Sequence, residues 1–433
     1  MNHSHQISRR RLLGAGTALS AFSALTLTGC ATPSGPSIGR VVIVGGGFGG
    51  ATAAHYLKLW GGNVDVTLVE RNARFVSCPM SNLVLGGHQQ MDYITRSYSG
   101  LQALGVKWVQ GEVTAVDAAA KTVRLASGQT LPYDRLILSP GVDFMLDSTP
   151  GLAAALDSGR VQHGWKAGPQ TVALRQQLQA MPDGGVFAMS IPKVPYRCPP
   201  GPYERACMVA SYFKQFKPRS KVLVLDANPE IQSKKALFEK AFKDHYSGLL
   251  EYRPNNELKE VGVGTSGQLT AKLEFDDVKA DVLNVIPPQR GGDIARSAGL
   301  LNMNSRWVGV NWLTMESTAA PGIHVLGDAT FSAPAMPKSG HMANQHAKVA
   351  AAAIIELLQG KPVNATPVVM NTCYSFVTAT DVVHVASVHQ YDSVDKTFKT
   401  VPGSGGVSAA ASAVEGRYAL SWADNIWADT LAT

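Results

Sequence analysis

Unbroken apolar runs, rather than alternating ones, open the main part of this chain. Arg40–Val44 is a β-branched stretch bounded by glycine, the pattern of a strand buried on both faces. It gives way at once to Gly45–Gly50; Ala51–Leu59 has helical composition, and Val64–Val69 predicts a second strand that ends in Glu70. The pattern recurs further along, with a glycine-led strand over Gly184–Ser190 and another over Lys221–Leu225 that ends in Asp226. Beyond about Gly360 the stretches are shorter and alternate, as in Val382–Val388, and predict a small β-rich domain closed by an aromatic tail, Tyr418–Trp427. Trp422 and Trp427 read as packing residues without chemistry.

The order strand, glycine turn, helix, strand, acid is the dinucleotide fingerprint in the context it requires. Gly45 allows the tight turn, Gly47 lets the backbone approach a pyrophosphate, and Gly50 permits close packing of the helix. Glu70, 20 residues after Gly50, is placed to accept from ribose hydroxyls. Thr130–Gly141 resembles the strand and turn by which two-dinucleotide flavoproteins leave their FAD domain, and Gly322–Ala329 resembles their return, where the aspartate, here Asp328, bonds the ribityl chain. The three segments together point to FAD rather than NAD.

The second nucleotide-type repeat lacks its glycine turn. In its place stands Tyr196–Arg205, with Cys198 followed by Pro199, Pro200, Gly201, Pro202, Tyr203 and Glu204. Three prolines in four residues remove N–H donors and fix φ, so the segment cannot wrap a pyrophosphate, but it can hold one sulfur rigidly. A nicotinamide partner is disfavoured and a thiol reaction favoured.

With 433 residues, 45% of them hydrophobic, the chain suits two or three packed domains and is not a disordered one. The formal charge is +7, three of these charges being Arg9, Arg10 and Arg11. No clustered basic stripe with interleaved aromatics suggests nucleic acid. Residues 1–30 read as a twin-arginine export signal, which places the mature protein in the periplasm. Leu27–Cys30 also resembles a lipobox with Cys30 as the lipidated residue; cleavage nearby by the ordinary signal peptidase, leaving a soluble protein, is the alternative. Ala31–Gly39 is a linker. Beyond the signal no apolar run is long enough to span a bilayer. The spacing of Cys30, Cys78, Cys198, Cys207 and Cys373 excludes a zinc ribbon or a CxxC pair, no metal site is expected, and no CxxCH exists to bind a c-type haem.

Val44–Ala54, Cys78–Asn82, Arg197–Ala206, Pro334–Gly340 and Asn371–Ser375 give the chain a close resemblance to the flavoprotein subunit of flavocytochrome c sulfide dehydrogenase, a relative of sulfide:quinone reductases and glutathione reductase-like flavoproteins. The resemblance implies an α/β fold of two Rossmann-like dinucleotide-binding domains and a small C-terminal α+β interface domain. It divides the chain into an FAD domain over 38–150 and 292–363, a second nucleotide-type domain without a working NAD turn over 151–291, and an interface domain over 364–433.

The same resemblance implies FAD held by Gly45, Gly46, Gly47, Phe48, Gly49, Gly50, Glu70, Arg71, Val113, Gly141, Gly327 and Asp328, with a thioether from Cys78 to the flavin. Lys338 would stabilise negative charge on the reduced ring. Cys198 and Cys373 would form a redox-active disulfide, and Glu204 would be a buried carboxylate able to accept a proton. Cys207 has no family role and reads as a small buried hydrophobe. Hydrosulfide would attack the disulfide, leaving a persulfide on one cysteine and a thiolate, expected at Cys373, on the other. Electrons would then leave through FAD to a separate c-type cytochrome subunit, and sulfur as sulfane sulfur or polysulfide. A sulfide:quinone reductase and a non-catalytic redox partner of sulfur-oxidising proteins are the competing readings. The former would want a basic amphipathic C-terminal helix, and Glu415–Thr433 is not basic enough.

Overall fold

The β-branched run predicted as a buried strand is the middle strand of the parallel part of the largest sheet. The computed structural model describes residues 35–265 and 267–433, so the export signal and Cys30 lie outside the described residues. Gly39–Val44 stands fifth in a seven-stranded sheet ordered Val310–Asn311, Glu316–Ser317, Ile323–Val325, Arg135–Leu138, Gly39–Val44, Val64–Glu70, Lys107–Gln110. The last five of these run parallel. Val41 and Ile43 are fully buried, as a strand covered on both faces must be. Gly39–Val44 has the next strand in sequence on one side and Arg135–Leu138, far later in the chain, on the other. The sheet therefore changes direction there, and a crevice opens at the carboxyl ends of the strands.

The helix Phe48–Gly61 leaves the first strand through the glycine turn and buries Ala51, Ala53, Ala54 and Leu57. It packs on the long helix Gly340–Leu358, whose first turn is capped by Ser339. A second sheet, entirely parallel, runs Leu250–Arg253, Lys221–Asp226, Val186–Ile191, Val282–Val285. The helix Gly201–Phe216 follows its Val186–Ile191 strand. Val142–Phe144 and Gln289–Gly291 pair antiparallel where the chain passes between the two halves.

The C-terminal part is an antiparallel sheet of Val368–Phe376, Val382–Asp392 and Thr397–Thr400, with Gly406–Val407 paired to the middle strand. The aromatic tail, which the periodicity alone places inside a β-rich domain, is the helical part of the α+β domain that the resemblance implies. Ala413–Leu431 is a helix that buries Gly416, Ala419, Ala423, Ile426, Trp427 and Thr430 as one stripe and packs on the helix Phe48–Gly61. Ser412 caps it, accepting from the Glu415 N–H at 3.2 Å.

Candidate active site

A cavity of about 650 Å³ lies at the carboxyl ends of the first sheet and is walled by all three parts of the chain. Gly45, Gly47, Phe48, Gly49, Glu70, Arg71, Val113, Gly141, Gly327, Asp328 and Lys338 line it from the first half. Cys78 lies on its wall, as do Cys198, Glu204 and Cys373. Two residues expected at the cofactor do not reach it. Gly46 sits behind the turn, where its N–H donates to Glu70 Oε2 at 2.7 Å and its carbonyl accepts from Tyr98 Oη at 3.1 Å. Gly50 is a packing glycine: a Cβ there would come within 1.8 Å of the Gly45 carbonyl oxygen.

The shape of this cavity fits a dinucleotide. Gly45 takes φ +98°, where a side chain is strained, while a Cβ on Gly47 would meet nothing within 4 Å, so the space in front of Gly47 is open for a ligand. The helix that follows has no side-chain cap, which leaves its first N–H groups free for an anion. Glu70 holds the turn through Gly46 and Asn72 and still faces the cavity. At the far end, Asp328 is half-buried, and its Oδ1, out of contact with solvent, lacks any partner among the described residues; burial pushes its carboxyl up, against the pull of Arg197 and Lys338. A buried acceptor of this kind calls for a hydroxyl from a ligand.

The proline segment places Cys198 as a fixed point. Cys198 adopts φ +55°, its N–H donates to the Lys338 carbonyl at 2.8 Å, and its own carbonyl accepts from Gly201 N–H at 2.8 Å. A Cβ on Gly201 would sit 2.8 Å from Cys198 Sγ, so the glycine makes room for the sulfur. The helix then begins at Gly201, which brings Glu204 into its first turn. Glu204 Oε1 accepts from the Phe376 N–H at 2.9 Å and Oε2 from Asn82 Nδ2 at 2.8 Å. Burial raises its pKa, the two hydrogen bonds opposing.

Cys198 and Cys373, expected as a disulfide, are both free thiols in the structure, as are Cys78 and Cys207. The expected S–S bond is therefore absent from the structure. Both sulfurs line the one cavity, and negative charge on Cys373 adds to the burial that pushes the Cys198 thiol up. Cys373 Sγ is 3.3 Å from Asn371 Nδ2, and its thiol is also raised by burial. Cys207 lies on the helix Gly201–Phe216 with no exposed surface.

Lys338 lines the cavity, but its ammonium donates to the carbonyls of Asp328, at 3.0 Å, and Thr330 and sits 3.8 Å from the centre of the Trp307 ring. Burial brings its pKa down to about 7. Its reach toward a flavin therefore rests on its third N–H.

Several residues of the site were not singled out from the sequence. Arg197, next to Cys198, donates to Cys78 Sγ at 3.0 Å and to the Trp165 carbonyl, and lies 3.9 Å from Asp328. Arg205 is 1% exposed and bonds Asn82, Asn284 and the carbonyls of His163 and Gly164, joining the Cys78 segment to the second half. Lys234 is buried and donates to the Cys373 carbonyl at 3.0 Å, to Ser375 Oγ at 2.8 Å and to the Val383 carbonyl at 3.2 Å. Trp422, read as plain packing, is on the cavity wall. Adjacency to Cys78 and Cys198 was a usable signal for Asn82 and Arg197; Lys234 carried none.

Three family models match the chain: pyridine nucleotide-disulphide oxidoreductase over residues 39–180, sulfide dehydrogenase [flavocytochrome c] flavoprotein chain, central, over 171–287, and flavocytochrome c sulphide dehydrogenase, flavin-binding, over 365–431. The sulfide dehydrogenase flavoprotein chain of Chlorobaculum thiosulfatiphilum is 58% identical over 45 residues, which are 10% of this chain and 94% of that one. The mitochondrial sulfide:quinone oxidoreductase of Mus musculus is 24% identical over 67% of this chain, and the match spans 65% of that enzyme's length. The crystal structure of the sulfide:quinone oxidoreductase of Aquifex aeolicus superposes with a TM-score of 0.72 at 18% identity, covering 90% of this chain and 91% of that one. This last likeness shows the fold. The matched flavin-binding domain indicates FAD as the cofactor of the cavity.

Proposed function

We propose that this flavoprotein, whose three parts match the models of the pyridine nucleotide-disulphide oxidoreductases and of the sulfide dehydrogenase flavoprotein chain, oxidises sulfide through Cys198 and Cys373 and delivers the electrons to a c-type cytochrome. One observation carries the reading. Two cysteines 175 positions apart in the sequence, with the half-buried carboxyl of Glu204, line the same cavity as the glycine turn Gly45–Gly49.

In the oxidised enzyme the two sulfurs form a disulfide. Hydrosulfide attacks one of them, so that a persulfide forms there and the other leaves as a thiolate. A second hydrosulfide removes the outer sulfur as hydrodisulfide and leaves the pair as one thiol and one thiolate. Closing the pair again releases one proton and two electrons, and Glu204, its pKa raised by burial, is the nearby base for the proton. Bound FAD would supply a two-electron acceptor that can release electrons singly. Gly47, the uncapped helix start, Glu70 and Asp328 would hold it, and Cys78, with Arg197 against its sulfur, would be the residue for a covalent link. Export by the twin-arginine signal, with or without lipid on Cys30, belongs to the same proposal.

Anaerobic mixing of the purified protein with sulfide should bleach its flavin, and Cys198→Ser or Cys373→Ser should stop the bleaching. Undiminished bleaching in either variant overturns the reading. A second reading, quinone as acceptor, is favoured by the match to sulfide:quinone oxidoreductase over 67% of the chain. Among the described residues no helix is long and apolar enough to cross a membrane. Sulfide-dependent reduction of cytochrome c, measured beside that of a soluble quinone, decides between the two.

A further inference from the structure

The two thiols of the cavity are not equivalent. Cys373 Sγ faces the side-chain amide of Asn371, with Nδ2 at 3.3 Å, whereas among the described residues no hydrogen-bond donor reaches Cys198 Sγ. At its other end the amide meets Ser339. Ser339 Oγ accepts from the Met342 N–H at 2.9 Å as a helix cap, so its own hydrogen is free to go to Asn371 Oδ1 at 2.6 Å. Oδ1 also lies 3.7 Å from Cys373 Sγ, where the thiol can donate to it, and with Oδ1 accepting from Ser339 the NH2 group is the nearer end of the amide to the sulfur, at 3.3 Å. Asn371 is 2% exposed, so water does not compete for the amide.

We propose that Asn371, locked by Ser339, makes Cys373 the sulfur that carries negative charge whenever the Cys198–Cys373 pair is reduced, so that Cys198 is the one that receives the outer sulfur from hydrosulfide. The proposal rests on reading the two cysteines as the redox pair of this site. A donor aimed at a sulfur favours its thiolate, and in thiol–disulfide exchange the better-stabilised thiolate is the better leaving group. Hydrosulfide therefore attacks Cys198, the S–S bond breaks toward Cys373, and the electron pair of that bond stays on Cys373 beside the Asn371 amide.

The other groups facing Cys373 are Glu204 from the helix Gly201–Phe216, Lys234 at the entry to the helix Lys235–Tyr246, Cys198 itself, and His341, whose Nδ1 accepts from the Thr372 N–H at 3.0 Å. Burial pushes the Cys373 thiol up; Asn371, Lys234 and Ser339 pull it down and Glu204 opposes them. Asn371 touches the reacting sulfur. Ser339 acts through it as a positioning residue.

The test is pulse alkylation of the reduced holoprotein with iodoacetamide across pH, with the labelled cysteines read by peptide mapping. Cys373 should label at lower pH than Cys198. Asn371→Leu should slow Cys373 labelling at fixed pH by ~10- to 100-fold, the usual weight of a hydrogen bond to a charged group. Ser339→Ala should shift it the same way, and Ser339→Thr, which keeps the hydroxyl, should restore it. The serine pair gives the answer even where Asn371→Leu does not fold. Labelling of Cys198 first, or Cys373 rates in Ser339→Ala equal to wild type, overturns the proposal. No sulfide is needed, so wild-type protein that labels in the expected order while sulfide leaves its flavin unbleached contradicts the proposed function and supports the role of Asn371.

Discussion

The two halves of the molecule use one scaffold for opposite ends. In the first, the acid that closes the second strand, Glu70, looks into an open cavity in front of Gly47. In the second, the equivalent acid, Asp226, has no exposed surface and accepts from Tyr203 Oη at 2.7 Å and Tyr252 Oη at 3.0 Å. Tyr203 comes from the same proline segment that stands where the glycine turn would be, so that one segment both lacks a phosphate cradle and fills the ribose position. What remains of the second nucleotide site is a rigid mount for Cys198. A parallel α/β half needs its strands and helices to fold, but its ligand site resides in a few residues of one turn, and these can be exchanged for other chemistry.

The sharpest way to break the contrast is in the first half. Gly50→Ala places a methyl group 1.8 Å from the Gly45 carbonyl oxygen, and backbone cannot move aside as a side chain can. The variant should lose about 3 kcal/mol of stability and most of its flavin, measured by denaturant unfolding and by absorbance of the purified protein. In the second half, Asp226→Ala should cost about 1–3 kcal/mol by leaving buried tyrosine hydroxyls without an acceptor, yet keep its flavin; loss of flavin would show that the halves are not independent. NADH should leave the wild-type flavin unbleached.

The smallest effect concerns Lys234, whose pKa burial lowers from 10.5 to about 8, against the pull of Cys373, Glu204 and Cys198. Between those two values the unfolded chain binds the proton and the folded chain does not, so stability rises with pH across that window, and the gain is lost again as pH falls toward 8. Lys234→Met should flatten that rise in a series of denaturation midpoints; an unchanged slope would place the pH dependence elsewhere.

Sequence reading captured what is local. The span from Gly45 to Glu70 is one continuous stretch whose spacing alone states its geometry, and the prolines after Cys198 state theirs. Pairing Cys198 with Cys373 came from a resemblance, because nothing in the spacing of remote residues says that a loop and the strand Val368–Phe376 will meet. Lys234, Arg205 and Asn371 were missed for the same reason: each acts through partners on other elements. The helix Ala413–Leu431 was legible and overlooked. Ser412 and Glu415 form an S-x-x-E start signal, and the small residues at 416, 419 and 423 keep helical spacing. Gly46 and Gly50 were assigned to the cofactor because a glycine motif does not say which glycine faces the ligand and which faces the protein.

The central claim is that Cys198 and Cys373 act together on sulfide at the flavin cavity. Anaerobic addition of one equivalent of sulfide to the oxidised holoprotein, followed by rapid quenching and peptide mass mapping, tests it most directly. The account predicts a gain of one sulfur on the Cys198 peptide together with a free thiol at Cys373. Sulfur added to neither peptide while the flavin is reduced would contradict it.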